Sequence, residues 1–176
     1  SMRPLGLVLV PTRELAIQVA EVLQPVADHA GMKVLPVYGG ASRNHQVDEM
    51  AKGVEIVVAT PGRALDHLRR KTLDLASLDV LVLDEADEML DMGFREDLEE
   101  LLDATPEGRR TLLFSATMPK TIANLAKKYQ KNSLRIETLG ETRAHADIEY
   151  QAMRVAPNEI EHAVVNVLRF VEPKSA

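Results

Sequence analysis

The chain has 176 residues, 45% hydrophobic and 27% charged, with a formal net charge of −6, which is enough for one domain with a sizeable core and matches an ordinary soluble composition. It contains no Cys and no Trp, so disulfides, thiolate zinc sites and cysteine nucleophiles are excluded, and no apolar stretch is long enough to span a bilayer. The absence of Cys fits a reducing compartment, and the cytoplasm is the expected location.

Excess acid argues against a general nucleic-acid binder but not against one local basic face. Arg13, Arg43, Arg63, Arg69, Arg70 and Lys71 are the candidates for such a face. The acidic run Glu96-Asp97-Leu98-Glu99-Glu100 reads as a solvated helix face. Aromatics are only 3% of the chain, so stacking platforms for bases are not expected to dominate any nucleic-acid contact.

Taken in chain order, apolar runs alternate with helical periodicity. Ser1-Met2 reads as a tag remnant followed by a start residue and is set aside. Leu7-Val8-Leu9-Val10 predicts a buried strand. Leu15, Val19, Val22, Leu23 and Val26 recur at helical spacing, and Gly31 ends that helix. Val34-Leu35-Pro36-Val37 is a short strand closed by Gly39-Gly40, and a helix is expected from Asn44 to Lys52. Residues Glu55 to Ala59 form a third strand, and Thr60-Pro61-Gly62 opens a helix through Leu65 and Leu68. Val80-Leu81-Val82-Leu83 is the fourth strand, and a helix from Phe94 carries Leu98, Leu101 and Leu102. Thr111-Leu112-Leu113-Phe114 is the fifth strand, Pro119 opens a helix to Tyr129, and Leu134-Arg135-Ile136 reads as a sixth strand. The pattern predicts an α/β fold, a mainly parallel sheet with helices on both faces.

Hydrophobic periodicity lapses between Glu137 and Asp147, as in an exposed linker. The expected organisation is a domain over 3–137, a linker over 138–147, and the beginning of a second domain over 148–176. In that tail Ile148 to Val155 alternates like a half-buried strand, and Ile160, Val164, Val167 and Leu168 form a helical stripe.

The junction after the fourth strand carries the chemistry. Asp84 and Glu85 directly follow an apolar run, and two adjacent carboxylates at a buried strand end are costly unless a cation or water partners them. In an open parallel sheet, ligands bind outside the carboxyl ends of the strands. A strand-end Asp suits a divalent cation accompanying a phosphate ligand, and the following Glu suits proton abstraction from an attacking water. Acids at a helix amino terminus are the plainer alternative. The five histidines, His29, His45, His67, His145 and His162, lack metal-ligand spacing and read as surface residues, and Met89, Leu90 and Met92 read as packing.

Asp84-Glu85-Ala86-Asp87 resembles the signature of the DEAD-box RNA helicases. Pro11-Thr12-Arg13-Glu14-Leu15-Ala16, Gly39-Gly40, Thr60-Pro61-Gly62-Arg63 and Ser115-Ala116-Thr117 resemble other motifs of that family, in the same order. The resemblance implies a RecA-like fold of the P-loop NTPase type and an enzyme that couples Mg-ATP hydrolysis to RNA binding and local duplex unwinding. It implies that Asp84 binds the nucleotide-associated Mg²⁺, that Glu85 is the general base, and that Asp87 bonds to the loop of Ser115 and Thr117, whose hydroxyls link nucleotide state to domain closure. It further implies that Thr12, Arg13, Gly39, Gly40, Thr60, Gly62 and Arg63 lie along single-stranded RNA, touching its backbone without reading sequence. Helix-start chemistry explains Thr12 and Thr60 equally well, and capping explains Ser115 and Thr117.

No G-x-x-x-x-G-K-[ST] segment occurs in the chain. The family places that phosphate loop upstream of the motifs found here, so the chain reads as an amino-terminally truncated piece of a longer helicase. On that reading Mg²⁺ and ATP belong to the parent protein, and this chain alone binds neither tightly and does not hydrolyse ATP. A truncated sheet is also expected to expose Leu7, Leu9 and the neighbouring strands, and to favour dimerisation or element swapping. A nucleotide-independent RNA-binding or protein-interaction module is the alternative; a DNA helicase is disfavoured by the wording of the motifs.

Overall fold

The computed structural model describes residues 3–137 and 153–171 and divides the chain into two compact units, Ser1–Ser133 and Leu134–Ala176. The first unit is built from five short strands, β1 (Gly6–Leu9), β2 (Val34–Val37), β3 (Ile56–Ala59), β4 (Val80–Leu83) and β5 (Arg110–Leu113). They form one parallel sheet in the order β2-β3-β1-β4-β5. Six helices connect or follow them: α1 (Arg13–His29), α2 (Arg43–Ala51), α3 (Pro61–Arg69), α4 (Ala86–Asp91), α5 (Arg95–Asp103) and α6 (Lys120–Tyr129).

Side chains alternate across each strand, so neighbouring residues serve opposite faces. Leu7, Leu9, Val57, Ala59, Leu81 and Leu83 enter one core with Ala64 and Leu65 of α3, Leu98, Leu101 and Leu102 of α5, and Ile122 and Leu125 of α6. Val8, Val10 and Val58 enter the other, against Ala16 and Ala20 of α1. The expected stripe of α1 is therefore rotated. Leu15, Val19 and Leu23 do face the sheet, but Val22 and Val26 are 75% and 70% exposed. Small alanines take the inward positions, because a 3.6-residue period through Ala16, Ala20 and Leu23 leaves Val22 and Val26 outside.

β1 is the central strand, paired on both sides. Leu7 and Leu9 are fully buried, contrary to the expectation that a truncated sheet would bare them. The uncovered surface lies further along the sheet. Val80 and Phe114 are exposed on the α1 side, where α1 packs over β1, β2 and β3, and β5 is an edge strand. The segment after α3, which has no sequence signature, buries Leu73, Leu75 and Leu78. It begins at Lys71, whose φ of 58° closes α3 in the left-handed conformation, with Thr72 N–H bonded to the His67 carbonyl. Glycine is the usual residue there. Lys71→Gly is expected to stabilise the first unit by about 1 kcal/mol, read from urea denaturation.

Leu134-Arg135-Ile136 forms no strand; Leu134 and Ile136 are 83% and 76% exposed. Three alternating residues with no partner to pair with do not make a ladder. The expected linker, 138–147, and the first part of the expected tail strand lie outside the described residues, and residues 153–155 are not a strand. In the second unit a 3-10 turn, Pro157–Glu159, leads into α7 (Ile160–Val171), so the predicted stripe is helical. Among the described residues no helix is long and apolar enough to cross a membrane.

Candidate functional site

All five strands point the same way, so their carboxyl ends share one rim. Backbone bonds carry the ladder one residue past the strands: Val10 N–H to Ala59 O, Thr60 N–H to Val37 O, Asp84 N–H to Leu9 O, and Phe114 N–H to Leu83 O, at 2.8–3.1 Å. Every residue assigned a role by the motif resemblance stands on this rim. Read across the sheet, the rim presents Gly39 and Gly40, then Thr60, Gly62 and Arg63, then Thr12 and Arg13, then Asp84, Glu85 and Asp87, and last Ser115 and Thr117. β1 runs into α1 on one face, whereas β4 runs towards α4 and α5 on the other. A crevice opens where adjacent connections leave to opposite faces; here that happens on both sides of β1, towards Thr60 and towards Asp84.

The acidic half is tightly built. Asp84 is half-buried and its Oδ1 accepts from Glu85 N–H at 3.0 Å, leaving the second oxygen free. Glu85 is exposed and sits at φ 50°, ψ 50°, a left-handed conformation that costs a non-glycine residue of the order of 1 kcal/mol. That turn swings the chain from β4 into α4 and holds the Glu85 carboxyl clear of any ion pair among the described residues. Asp87 Oδ2 accepts from Thr117 N–H at 2.9 Å and from Thr117 Oγ1 at 2.8 Å. Ala86 N–H also donates to the Phe114 carbonyl at 3.0 Å. The first turn of α4 is thus fastened to the exit of β5 twice. Ser115 Oγ donates to the Thr117 carbonyl at 2.7 Å and braces the same turn.

Partial burial works to raise the Asp87 pKa, but the hydrogen bonds from Thr117, with the Ser115 hydroxyl nearby, outweigh it and hold the carboxyl below its ordinary value. A depressed carboxyl stabilises the fold above its unfolded pKa and loses that contribution as pH falls through the folded one. Thr117→Val is expected to cost about 1 kcal/mol at neutral pH. The gap from the unsubstituted chain should begin to narrow below the ordinary carboxylate value and close only once pH is low enough to protonate Asp87 in the folded unsubstituted chain as well. Thermal melts across pH 2–7 check this, and a gap that stays constant with pH would refute it.

The other half carries donors and backbone. Gly40 has φ +84°, and the Arg13 guanidinium lies 3.9 Å from where a Cβ would stand, so the two motifs meet. Thr12 Oγ1 accepts from Leu15 N–H at 3.2 Å, which is plain helix capping, and its own hydroxyl hydrogen stays available to donate. Thr60 makes no capping bond. A Cβ on Gly62 would meet Asp97 Oδ2 at 3.4 Å, so an acid flanks the start of α3 and an anion must approach that turn from the other side. Arg63 Nη1 donates to the Ala41 carbonyl at 3.2 Å and to Gln46 Oε1 at 3.0 Å.

The broad basic face expected from the sequence is mostly neutralised. Arg69 pairs with Glu100, and Arg70 and Arg43 both reach Asp66. Glu100 therefore belongs to an ion pair rather than to an isolated acidic run. Arg63 forms no ion pair among the described residues. His67 departs from its expected place on the surface: it is wholly buried and bonds to Gln46 and Thr72. The spacing Ala64-His67-Leu68 on one helix face was the signal for it. Met92, expected to pack, is 50% exposed.

Among the described residues no cluster of three His, Asp or Glu side chains could hold a metal by itself. The free oxygen of Asp84 at the crevice fits Mg²⁺ instead, which keeps most of its waters and binds through one or two carboxylates plus substrate phosphates.

Comparison with known proteins agrees with this geometry. A family model for DEAD/DEAH box helicases matches residues 1–125. The DEAD-box ATP-dependent RNA helicase CshA of Bacillus cereus is 52% identical over 124 residues, which cover 70% of this chain and 24% of that protein. The ATP-dependent RNA helicase DeaD of Mycobacterium tuberculosis is 47% identical over 154 residues, covering 87% and 27%. Among solved structures, the yeast DEAD-box splicing factor Prp28 superposes with a TM-score of 0.69 at 35% identity, over 73% of this chain and 31% of that one. A hypothetical ATP-dependent RNA helicase from Sulfolobus tokodaii gives 0.69 at 40% identity, over 73% and 39%. The chain spans about a quarter of the length of these curated relatives. With its five-stranded parallel sheet and its motifs gathered on one rim, the chain belongs to the DEAD/DEAH box helicase family.

Proposed function

We propose that this chain is the part of an ATP-dependent RNA helicase in which RNA contact and phosphoryl-transfer residues meet, and that it is inactive as an ATPase by itself. The observation that supports this reading is the division of the rim: glycines, threonines and arginines at the ends of β2, β3 and β1, carboxylates and hydroxyls at the ends of β4 and β5. RNA laid over the first half would meet the second half at the β1–β4 crevice.

In the complete enzyme, magnesium supplies charge neutralisation on the nucleotide phosphates. Asp84 would hold it through the oxygen not engaged by Glu85 N–H. Glu85, held out from the turn, would take a proton from the attacking water. Asp87 and Thr117 tie the turn carrying those acids to the exit of β5, so a displacement at one is felt at the other; this is the route by which nucleotide state would reach domain closure. Thr12, Arg13, Gly39, Gly40, Thr60, Gly62 and Arg63 would contact the RNA backbone without reading bases. A domain over 3–137, a linker over 138–147, the start of a second domain from 148, and a cytoplasmic location belong to the same proposal.

The chain contains no G-x-x-x-x-G-K-[ST] loop, whose amides and Lys do much of the phosphate clamping in such enzymes. The 176-residue chain, assayed with Mg-ATP and single-stranded RNA, is expected to show no RNA-stimulated turnover; robust turnover would overturn this. Binding to uridine and adenosine homopolymers is expected to be salt-sensitive and alike for both. Binding that ignores nucleotide altogether, also in a protein completed to the length of the relatives, would favour a plain RNA-binding or interaction module.

A further inference from the structure

Two buried polar side chains beside the RNA half of the rim have no place in the roles described so far. Gln46 on α2 is 4% exposed and His67 on α3 is 0% exposed. Neither belongs to a motif that the sequence singled out. Buried polar groups of this kind are retained in a core only when their partners are satisfied.

Here they are. Gln46 Nε2 donates to the Tyr38 carbonyl at 3.1 Å, just before Gly39 and Gly40. That bond fixes the amide orientation, because only the nitrogen can donate, and it leaves Oε1 as the acceptor. Gln46 Oε1 accepts from Arg63 Nη1 and lies 3.0 Å from His67 Nε2. His67 Nε2 must then carry a hydrogen, and Nδ1 lies 2.9 Å from Thr72 Oγ1, whose hydroxyl donates to the His67 carbonyl at 3.0 Å. Burial first, and the charge of Arg63 second, keep the ring below its ordinary pKa and favour this neutral tautomer. Arg63 in turn donates to the Ala41 carbonyl, on the far side of the same glycine turn.

We propose that Gln46 and His67 are positioning residues of the RNA-facing rim: one side-chain amide, steadied by a buried imidazole, locks the turn 38–41 to the first turn of α3 and fixes the direction of the Arg63 guanidinium. The bridge has three ends. One is the carbonyl on which the glycine turn begins, one is the guanidinium offered to phosphate, and one is the ring that anchors the amide in the core. Without it Arg63 keeps a single bond, to Ala41, and its long side chain samples other rotamers. A phosphate contact then has to order it first. This inference rests on the RNA-binding reading above and adds to it two residues that never touch RNA.

The test measures binding of the whole chain to a fluorescent single-stranded uridine 20-mer between low and moderate salt, with melting curves to confirm folding. Arg63→Met is expected to weaken binding about tenfold and to lower the slope of log K against log salt by about 0.7, the loss of one phosphate contact. Gln46→Met, close in volume and without the amide, is expected to do the same. The double variant should be no weaker than either single one, because both remove the same contact. A protein merely less stable would lose active fraction but keep its salt slope. If Gln46→Met fails to fold, His67→Leu approaches the bridge from its other end and is expected to show the same lowered slope. Wild-type affinity and slope in folded Gln46→Met or His67→Leu, with Arg63→Met impaired, would overturn the positioning role and leave the RNA reading intact. An unaffected Arg63→Met, or no salt-sensitive binding by the unsubstituted chain, would overturn the RNA reading and this inference with it.

Discussion

Completed to the length of its relatives and carrying Glu85→Gln, this segment is expected to lose about 10²–10⁴-fold in RNA-stimulated ATP turnover, the range over which a positioned general base contributes. The substitution keeps the shape and hydrogen-bonding reach of the side chain and removes only its capacity to accept a proton. Glu85 makes no ion pair among the described residues and is exposed, so nothing in the fold depends on its charge. Its left-handed backbone is the same strain for Gln as for Glu. The loss should therefore fall on kcat, with RNA affinity and melting temperature unchanged. Turnover within a few-fold of the unsubstituted enzyme would remove Glu85 from the chemistry. A matching loss of RNA affinity would make its role structural instead.

The second large effect is on stability. Leu9→Ala is expected to destabilise the first unit by about 3–5 kcal/mol, because Leu9 is 0% exposed at the end of the central strand, with β3 on one side and β4 on the other. Leu9 packs in the same core as Ala59 and Leu83, its register partners, and a strand hydrogen-bonded on both edges cannot collapse into the vacated space. Val22→Ala, on a helix position 75% exposed, is expected to change stability by less than about 0.5 kcal/mol. Urea denaturation of the two variants distinguishes them, and comparable losses would mean that the sheet order is wrong.

The contrast between those two residues shows how much of the fold was legible. Apolar runs located the strands, most directly β1 and β3, where burial on both faces leaves little polar alternation to confuse with a helix. Pro36 sits in β2, an edge strand, where its missing N–H is tolerated. Val22 and Val26 looked like core because valines outrank alanines in hydrophobicity, yet close packing of α1 on Val8 and Val58 needs small residues. Strand order was not readable from any local pattern. That is why Leu9 was expected at a bared flank while Val80 and Phe114 occupy it. Leu134 and Ile136 had the alternation of a strand but no neighbour to pair with.

At the site, the positions of the motif residues were visible: Asp84, Glu85, Asp87 and Thr117 stand at the ends of β4 and β5. Gln46 and His67 were not. Their meaning comes from partners 21 residues apart in sequence, and only the crossing of α2 and α3 brings them together.

A sheet whose strands are all parallel has two rims with unequal burdens. At one end gather the turns proposed above to meet RNA and phosphate; at the other, among the described residues, lie connections such as Glu107-Gly108, where a side chain added to Gly108 would meet nothing. Foreign sequence spliced there, whether a fluorophore-bearing peptide or an affinity handle, would hang from the underside of the domain and leave the working edge untouched. The protein thus has a natural place to be held.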